Sequence, residues 1–306
     1  MYLEPIHLPA NNSSDAYEFV IYRGDLECSS APGNKQHKLK YHLQQALQEH
    51  KSIAATFGGP HSNHVAAFVA RCVELQITPI VVVRGETWAS LTPTLRRAVQ
   101  QGAILFPSSR LDYRLGMQSK IKDAIDQYYA GEVYWVPEGG AGALGVLGCL
   151  DWANHIYQKL NDSSYHVCLA SGTGATAAGF AASDFNSVSV FSALKGAHNL
   201  EQDLYSHCLA ANIEVTAKLE CFDESLHGGF GKMSDALIHF LHDMLAHNPT
   251  LRLDPVYTAK MVYKVNQLLA QGSWPHRKTV FIHTGGLQGW RGMPVGHCPY
   301  NENDWL

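Results

Sequence analysis

"KSIAATFGGPHSNHVAAFVARCVELQITPIVVVRG" (residues 51–85) decides the fold class of this 306-residue chain. It opens on a short β-rich run at 52–59 and closes on another at 78–85, with a helical pattern through 66–75 between them. A strand, a helix and a strand in that order make a parallel pair with a crossover helix on one face. The alternation continues outward. A helix around 89–101 precedes "AILFPSS" (103–109), a helix around 115–129 precedes "EVYWVPEGG" (132–140), and a helix around 143–159 precedes "YHVCLASGTG" (165–174). "SVSVFSALKG" (187–196) and "KTVFIHTGG" (278–286) complete the series. The pattern predicts an α/β protein of parallel open sheets with helices on both faces. Ligands in such sheets bind at the carboxyl ends of strands. Four of the runs end in glycine-rich turns, at 58–59, 139–140, 172–174 and 285–286, where the backbone can approach a ligand closely. They are expected to line one cleft.

The block 44–153 reads as a self-contained set of βα units, with no linker, repeat or low-complexity tract to mark its ends. Two domains are therefore expected, a smaller inserted α/β domain at 44–153 and a larger one built from 1–43 plus 154–306.

Composition excludes other classes. Hydrophobic residues make up 46% and charged ones 16%, as in a well-buried globular chain. A net charge of −4 with no basic run argues against nucleic acid. The seven cysteines lack C-x-x-C spacing and are expected to be reduced. His61 and His64 lack a third ligand at usable spacing, so no metal is expected. "MYLEPIHLPA" has no signal-peptide pattern and no apolar run reaches membrane-spanning length, so the expected location is the cytoplasm.

Three features carry chemistry. Ala31-Pro32-Gly33-Asn34 favours a turn, and Leu39, Leu43 and Leu47 recur at helical spacing behind it. Lys35 thus sits at a helix N-terminus, where the helix dipole disfavours a cation; it is either a solvated side chain or an amine meant to react. "LASGTGATAAGF" (169–180) is a strand, a Gly/Thr turn and an Ala-rich helix, read either as a plain tight turn or as a cup for a monophosphate, with Thr173 and Thr176 as donors. It lacks the Walker lysine and the dinucleotide spacing. In "TFGGPHSNHVAAFVA" (56–70), Ser62 and Asn63 start a helix, either as a cap or as a cup for a carboxylate. A lysine with a phosphate cup and a carboxylate cup suggests pyridoxal phosphate acting on an amino acid.

"GNKQHKLKY" (33–41), "GGPHSNH" (58–64), "VPEGGAGALG" (136–145), "SGTGAT" (171–176), "DPVYTAKM" (254–261) and "HTGG" (283–286) together resemble one family. It is the 1-aminocyclopropane-1-carboxylate deaminase and D-cysteine desulfhydrase family of fold-type II pyridoxal-phosphate enzymes. The resemblance spans 22 to about 293. It implies Lys35 as the Schiff-base lysine, Asn63 as partner of the cofactor ring hydroxyl, and Thr173, Gly174, Ala175 and Thr176 as the phosphate cup. Ser62, Asn63, His64, Tyr257 and Thr258 would meet the substrate, with Ser62 and Tyr257 acting catalytically at the reacting carbons, and Thr258 and Thr284 would lie near the pyridine ring. The resemblance also implies a cofactor-binding larger domain, an active site between the domains, and a homodimer.

The ring-opening deaminases of that family have glutamate and leucine where this chain has Thr258 and Thr284, the hydroxyl residues of the desulfhydrases. A hydroxyl at the pyridine nitrogen favours the pyridinium less than a carboxylate does. Elimination of a good β-leaving group is therefore expected, with the cyclopropane deaminase as the alternative within the class. A non-catalytic cofactor- or phosphate-binding protein is the alternative outside it. Three positions depart from the family pattern: His37 replaces an arginine, Phe230 a tyrosine and Met293 a tyrosine-like residue.

Overall fold

The computed structural model describes residues 2–11, 17–85, 90–193, 199–223, 226–229 and 231–301. Its strands are β1 (Leu3–Pro5), β2 (Glu18–Arg23), β3 (Ile53–Gly58), β4 (Thr78–Arg84), β5 (Ile104–Ser108), β6 (Val133–Val136), β7 (His166–Ser171), β8 (Ser187–Ser192), β9 (Lys218–Phe222) and β10 (Lys278–His283). The α-helices are α1 (Asn34–Gln48), α2 (Asn63–Glu74), α3 (Pro93–Gln100), α4 (Arg110–Tyr113), α5 (Lys120–Tyr128), α6 (Ala143–Leu160), α7 (Ala175–Ala181), α8 (Leu200–Ala210), α9 (Asp235–His247) and α10 (Thr258–Ala270).

The strands form two sheets, one of six in the order β1-β2-β10-β7-β8-β9 and one of four in the order β5-β4-β3-β6. Every pairing is parallel except β1 with β2. Helices cover both faces of each, as the alternation along the strands requires. In the larger sheet Phe19, Ile21, Cys168 and Phe281 pack against α9 and α10, while Tyr22, Val167, Leu169 and Val280 pack against α6, α7 and α8. In the smaller sheet Ala54, Val81, Val83 and Val136 face α1, α2 and α3, and Phe57, Ile80 and Val82 face Tyr113 and Ile125.

Some boundaries differ from the sequence reading. The helix expected around 115–129 is a 3-10 turn at Gly116–Gln118 followed by α5, with the short α4 ahead of both. Ser119 caps α5, and the Asp112 carboxylate accepts from the N–H groups of Lys120 and Ile121, so the interruption is hydrogen-bonded rather than frayed. Helix α2 starts at Asn63 because the Ser62 side chain accepts from Val65 N at 3.3 Å. Among the described residues, no helix is long and apolar enough to cross a membrane. All seven cysteines are free.

One backbone contact sets the geometry of the site. A Cβ added at Gly148 on α6 would lie 2.0 Å from the His37 carbonyl oxygen on α1. Only glycine permits that approach, and it presses the first turns of α1 onto α6 and the neighbouring α7.

Candidate active site

Lys35 is the second residue of α1, and the turn ahead of it is forced. Gly33 has φ 82°, and a Cβ there would lie 2.0 Å from the Thr284 carbonyl oxygen. Asn34 ties the turn down three ways. Its N–H donates to Thr284 O (3.1 Å), its Nδ2 donates to Thr176 Oγ1 (2.8 Å), and its Oδ1 accepts from Lys35 Nζ (2.8 Å). The strand-end turn after β10, the start of α7 and the lysine amine are thereby joined through one side chain.

Burial lowers the Lys35 amine from the ordinary lysine value to about 8, with Cys149 and Asp254 partly opposing. Lys38, one helical turn on, is 2% exposed, and its Nζ donates to Thr173 Oγ1 at 3.0 Å. Burial, and then repulsion from Lys35, push its amine down to about 7. A half-buried amine beside a buried one makes a chamber that favours an arriving anion. Sequence reasoning passed over Lys38, Asn34, Cys149 and Asp254. The spacing of Lys35 and Lys38, three residues apart on a helix, was the available signal.

The hydroxyls of the predicted phosphate cup have protons to give. Thr176 Oγ1 accepts from Asn34 and from Cys149 Sγ (3.7 Å), and Thr173 Oγ1 accepts from Lys38. Gly174 precedes α7 with φ 83°, and no side chain caps the helix's first N–H groups. Thr173, Gly174, Ala175 and Thr176 thus stand together beside the two lysines.

Three further polar atoms are buried without a hydrogen-bond partner: Asn63 Oδ1, Ser171 Oγ and Thr258 Oγ1. Each would cost about 1–3 kcal/mol in a site that nothing enters. They lie around the same strand ends. Asn63 Nδ2 is 2.8 Å from where a Cβ at Gly286 would be, two residues after Thr284. Tyr257 closes on β7, its hydroxyl 3.2 Å from the Cβ position at Gly172. Burial, with the charges of Asp254 and Glu138 adding to it, raises the Tyr257 phenol, so it stays protonated. Thr258 is fully buried and Thr284 is 8% exposed. Asp254 is also fully buried and accepts from the N–H groups of Val256, Tyr257 and Thr258, which starts α10.

These features fit pyridoxal phosphate. A lysine amine with a lowered pKa, two hydroxyls and a second amine for a phosphate, and unpartnered polar atoms about a glycine-lined gap are the groups that cofactor needs.

Ser62 caps α2, so the geometry shows the bland role for its side chain, next to Asn63. His64 is buried, and its Nε2 is 2.8 Å from Thr56 Oγ1. Because Thr56 donates to Val136 O (2.9 Å), the histidine must be the donor, which leaves Nδ1 an unpartnered acceptor. Burial first, then Lys35 and Lys38, hold His64 well below the usual histidine range. It is therefore a neutral group.

His37 stacks on Trp152, its centroid 4.5 Å away, and its Nε2 is 2.6 Å from Glu27 Oε2. Met293 packs half-buried against the core of the larger sheet. Phe230 lies outside the described residues.

His166, Glu220 and His276 bring their ligand atoms within 4.8 Å of one another, a grouping the sequence spacing did not reveal. It sits near the amino ends of the strands, away from the lysines. The two imidazoles stack face to face at 3.3 Å with 1° between their planes, so their lone pairs run parallel rather than converge. Ser187, Ser189 and Glu220 occupy their nitrogens. Three of the four imidazole nitrogens are thus engaged within the protein.

No family model matches the chain. The bifunctional D-cysteine desulfhydrase/1-aminocyclopropane-1-carboxylate deaminase of Arabidopsis thaliana is 27% identical over 89% of this chain and 73% of its own length. A solved structure of an ACC deaminase homologue superposes with a TM-score of 0.78 at 25% identity, over 94% of this chain and 90% of that one. A pyridoxal 5'-phosphate-dependent aspartate racemase, 13% identical with a TM-score of 0.62, shares the fold.

Proposed function

We propose that this relative of the 1-aminocyclopropane-1-carboxylate deaminase and D-cysteine desulfhydrase family, a fold-type II pyridoxal-phosphate enzyme, eliminates a β-leaving group from a small amino acid. D-Cysteine or a close β-substituted analogue is the substrate, and a 2-oxo acid and ammonia are the products. The observation that carries the reading is Lys35, a half-buried lysine whose amine has a lowered pKa and is held by Asn34 against Thr176.

Lys35 would hold the cofactor by its amine, Thr173, Thr176 and Lys38 its phosphate, and Asn63 its ring hydroxyl. Pyridoxal phosphate, when bound, supplies an electron sink for the pair left at the substrate Cα. The chain's own groups do the rest. The Lys35 amine takes the α-proton at Nζ. The backbone N–H groups of Asn63 and His64 that begin α2, with the Ser62 hydroxyl, receive the substrate carboxylate. Tyr257, kept protonated, stands at the reacting carbons and gives its proton to the departing group. The carbon–sulfur bond breaks with its electron pair on sulfur, and water converts the resulting aminoacrylate to 2-oxo acid and ammonia.

Thr258 and Thr284 support elimination over ring opening. Asp254, the buried carboxylate beside them, is engaged by three backbone N–H groups, which leaves hydroxyls to meet the pyridine nitrogen. The name of the solved homologue supports the second reading, deamination of 1-aminocyclopropane-1-carboxylate, and the name of the Arabidopsis relative carries both activities. Comparing kcat/KM decides between them: D-cysteine should yield pyruvate faster than the cyclopropane yields 2-oxobutanoate. A preference for the cyclopropane overturns the elimination reading. Lys35→Ala should abolish both turnover and the yellow lysine–cofactor adduct, and an unchanged absorption band in that variant removes Lys35 from its role.

A further inference from the structure

Beside the lysine chamber lies a cavity of about 540 Å³ lined by Arg84, Arg110, Tyr113, Arg114, Gly116 and Glu138. Arg84 ends β4, and Arg110 and Arg114 bracket α4. Elsewhere in the chain Arg23 pairs with Glu4 and Asp25, and Arg71 pairs with Glu74. Among the described residues, none of the three cavity arginines pairs with a carboxylate. Glu138, the one acid in the lining, accepts from Tyr113 OH at 2.6 Å. All four charged side chains are exposed, so this is an open cleft, and three guanidinium groups against one engaged carboxylate leave it cationic.

The cavity shares two walls with the catalytic chamber. An Arg84 guanidinium nitrogen is 3.6 Å from the Cβ position at Gly59, whose carbonyl accepts from Ser62 N at 3.1 Å. Glu138 opens the turn whose Gly139 Cβ position lies 3.2 Å from Thr173 Cγ2 and 3.9 Å from Lys38 Nζ. These two turns are the elements that stand between the lysines and the arginines.

We propose that this arginine-lined cavity receives a second anionic group, a carboxylate or phosphate, on the β-substituent of the substrate. Guanidinium forks recognise either group through paired hydrogen bonds. The inference rests on the elimination reading above and narrows it to acidic β-substituted amino acids. When the carbon–sulfur or carbon–oxygen bond breaks, the departing group keeps the electron pair, and the arginines hold it as an anion.

The test uses holoenzyme and both enantiomers of four substrates. β-Chloroalanine, whose small leaving group needs no recognition, reports on the elimination reading alone. S-Methylcysteine and S-carboxymethylcysteine differ by one carboxylate, and O-phosphoserine supplies the phosphate arm. The expected result is a preference of about tenfold or more in kcat/KM for S-carboxymethylcysteine or O-phosphoserine over S-methylcysteine. The arm that wins identifies the anion. In R110Q/R114Q that preference should collapse, chiefly through KM. Equal losses on charged and uncharged substrates would mean that the arginines serve the α-carboxylate or the fold, and would overturn the proposal. Succinate, which has two anions and cannot react, gives a readout independent of turnover. Its Kd by calorimetry should rise about tenfold in the double variant, a factor worth about 1.4 kcal/mol. An unchanged Kd sinks the proposal, even where β-chloroalanine has shown the elimination reading itself to fail.

Discussion

Two buried polar clusters grow from the same stretch of chain and end in opposite states. Around Glu27 everything is matched. Its carboxylate accepts from Gln36 Nε2 (3.0 Å), Trp152 Nε1 (3.0 Å) and Tyr22 OH, and His37 Nε2 lies at 2.6 Å. Around Lys35 and Lys38 two amines crowd together with no carboxylate bonded to them, and three nearby polar atoms have no partner. Burial alone would raise the Glu27 carboxyl, but His37, Tyr22 and Trp152 outweigh it and hold it below the ordinary value. Burial of the lysines is only partly opposed, by Cys149 and Asp254 at Lys35 and by Cys149 at Lys38, and both amines stay below the ordinary value. A satisfied cluster is a structural joint; an unsatisfied one of the same size is a place built for something that arrives.

The contrast breaks if the Glu27 cluster can be removed without loss. Glu27→Ala strands four donors in a partly buried site, and the expected cost is about 3–5 kcal/mol in urea unfolding. Linkage sharpens this. A carboxyl with a lowered folded pKa contributes stability that is present above the unfolded value and is lost as pH falls through the folded value. The wild type should therefore lose part of its stability below about pH 4.5, where Glu27→Ala has none of that contribution to lose. A cost under about 1 kcal/mol would place this cluster with ordinary surface pairs.

Lys38 makes the opposite prediction. Its folded pKa, about 7, lies below the ordinary 10.5, so the folded apoprotein binds fewer protons than the unfolded chain between those values. Stability should rise with pH across that window, and the penalty is fully present below about pH 7. Lys38→Met should therefore stabilise the apoprotein at pH 7, by about 2–3 kcal/mol after loss of the Thr173 bond, and flatten the slope above it. Cofactor affinity should fall in the same variant. Destabilisation at pH 7 with an unchanged slope would mean that the amine is solvated and the chamber is not frustrated.

How much of this was legible follows from range. The βαβ order and the glycine-ended strands are local patterns, and they announced the α/β class; the turn-to-helix setting singled out Lys35 in the same local way. Strand β2 and helices α8, α9 and α10 were not read. Strand β2, "EFVIYR", alternates too briefly to stand out, and it is fixed by pairing with β10, about 260 residues away. Asn34, Cys149 and Asp254 act through partners distant in sequence, such as the Asn34–Thr176 bond, 142 residues apart. Lys38 was within reach, three residues from Lys35, but an amphipathic helix offers many lysines at that spacing. The arginine cavity joins β4, α4 and the turn after β6, and no spacing rule connects them.

The smallest effect tests how finely the two clusters divide their labour. Thr176 belongs to both the structural and the functional side of the lysine chamber, since Oγ1 accepts from Asn34 while its own proton remains to be donated. Thr176→Val removes both. Losing the Asn34 bond frees the side chain that orients Lys35, and losing the donor leaves one phosphate oxygen without a partner. A hydrogen bond to a charged group contributes about 1.5–3 kcal/mol, so cofactor dissociation should be about 10- to 150-fold more favourable in the variant. Thr176→Ser separates the parts. It keeps the acceptor for Asn34 and the donor for phosphate while removing only a methyl group, so it should retain the cofactor nearly as well as wild type. Should valine retain the cofactor as well as serine does, the hydroxyl would not serve the phosphate, and Thr176 would belong with Glu27 among the joints of the fold.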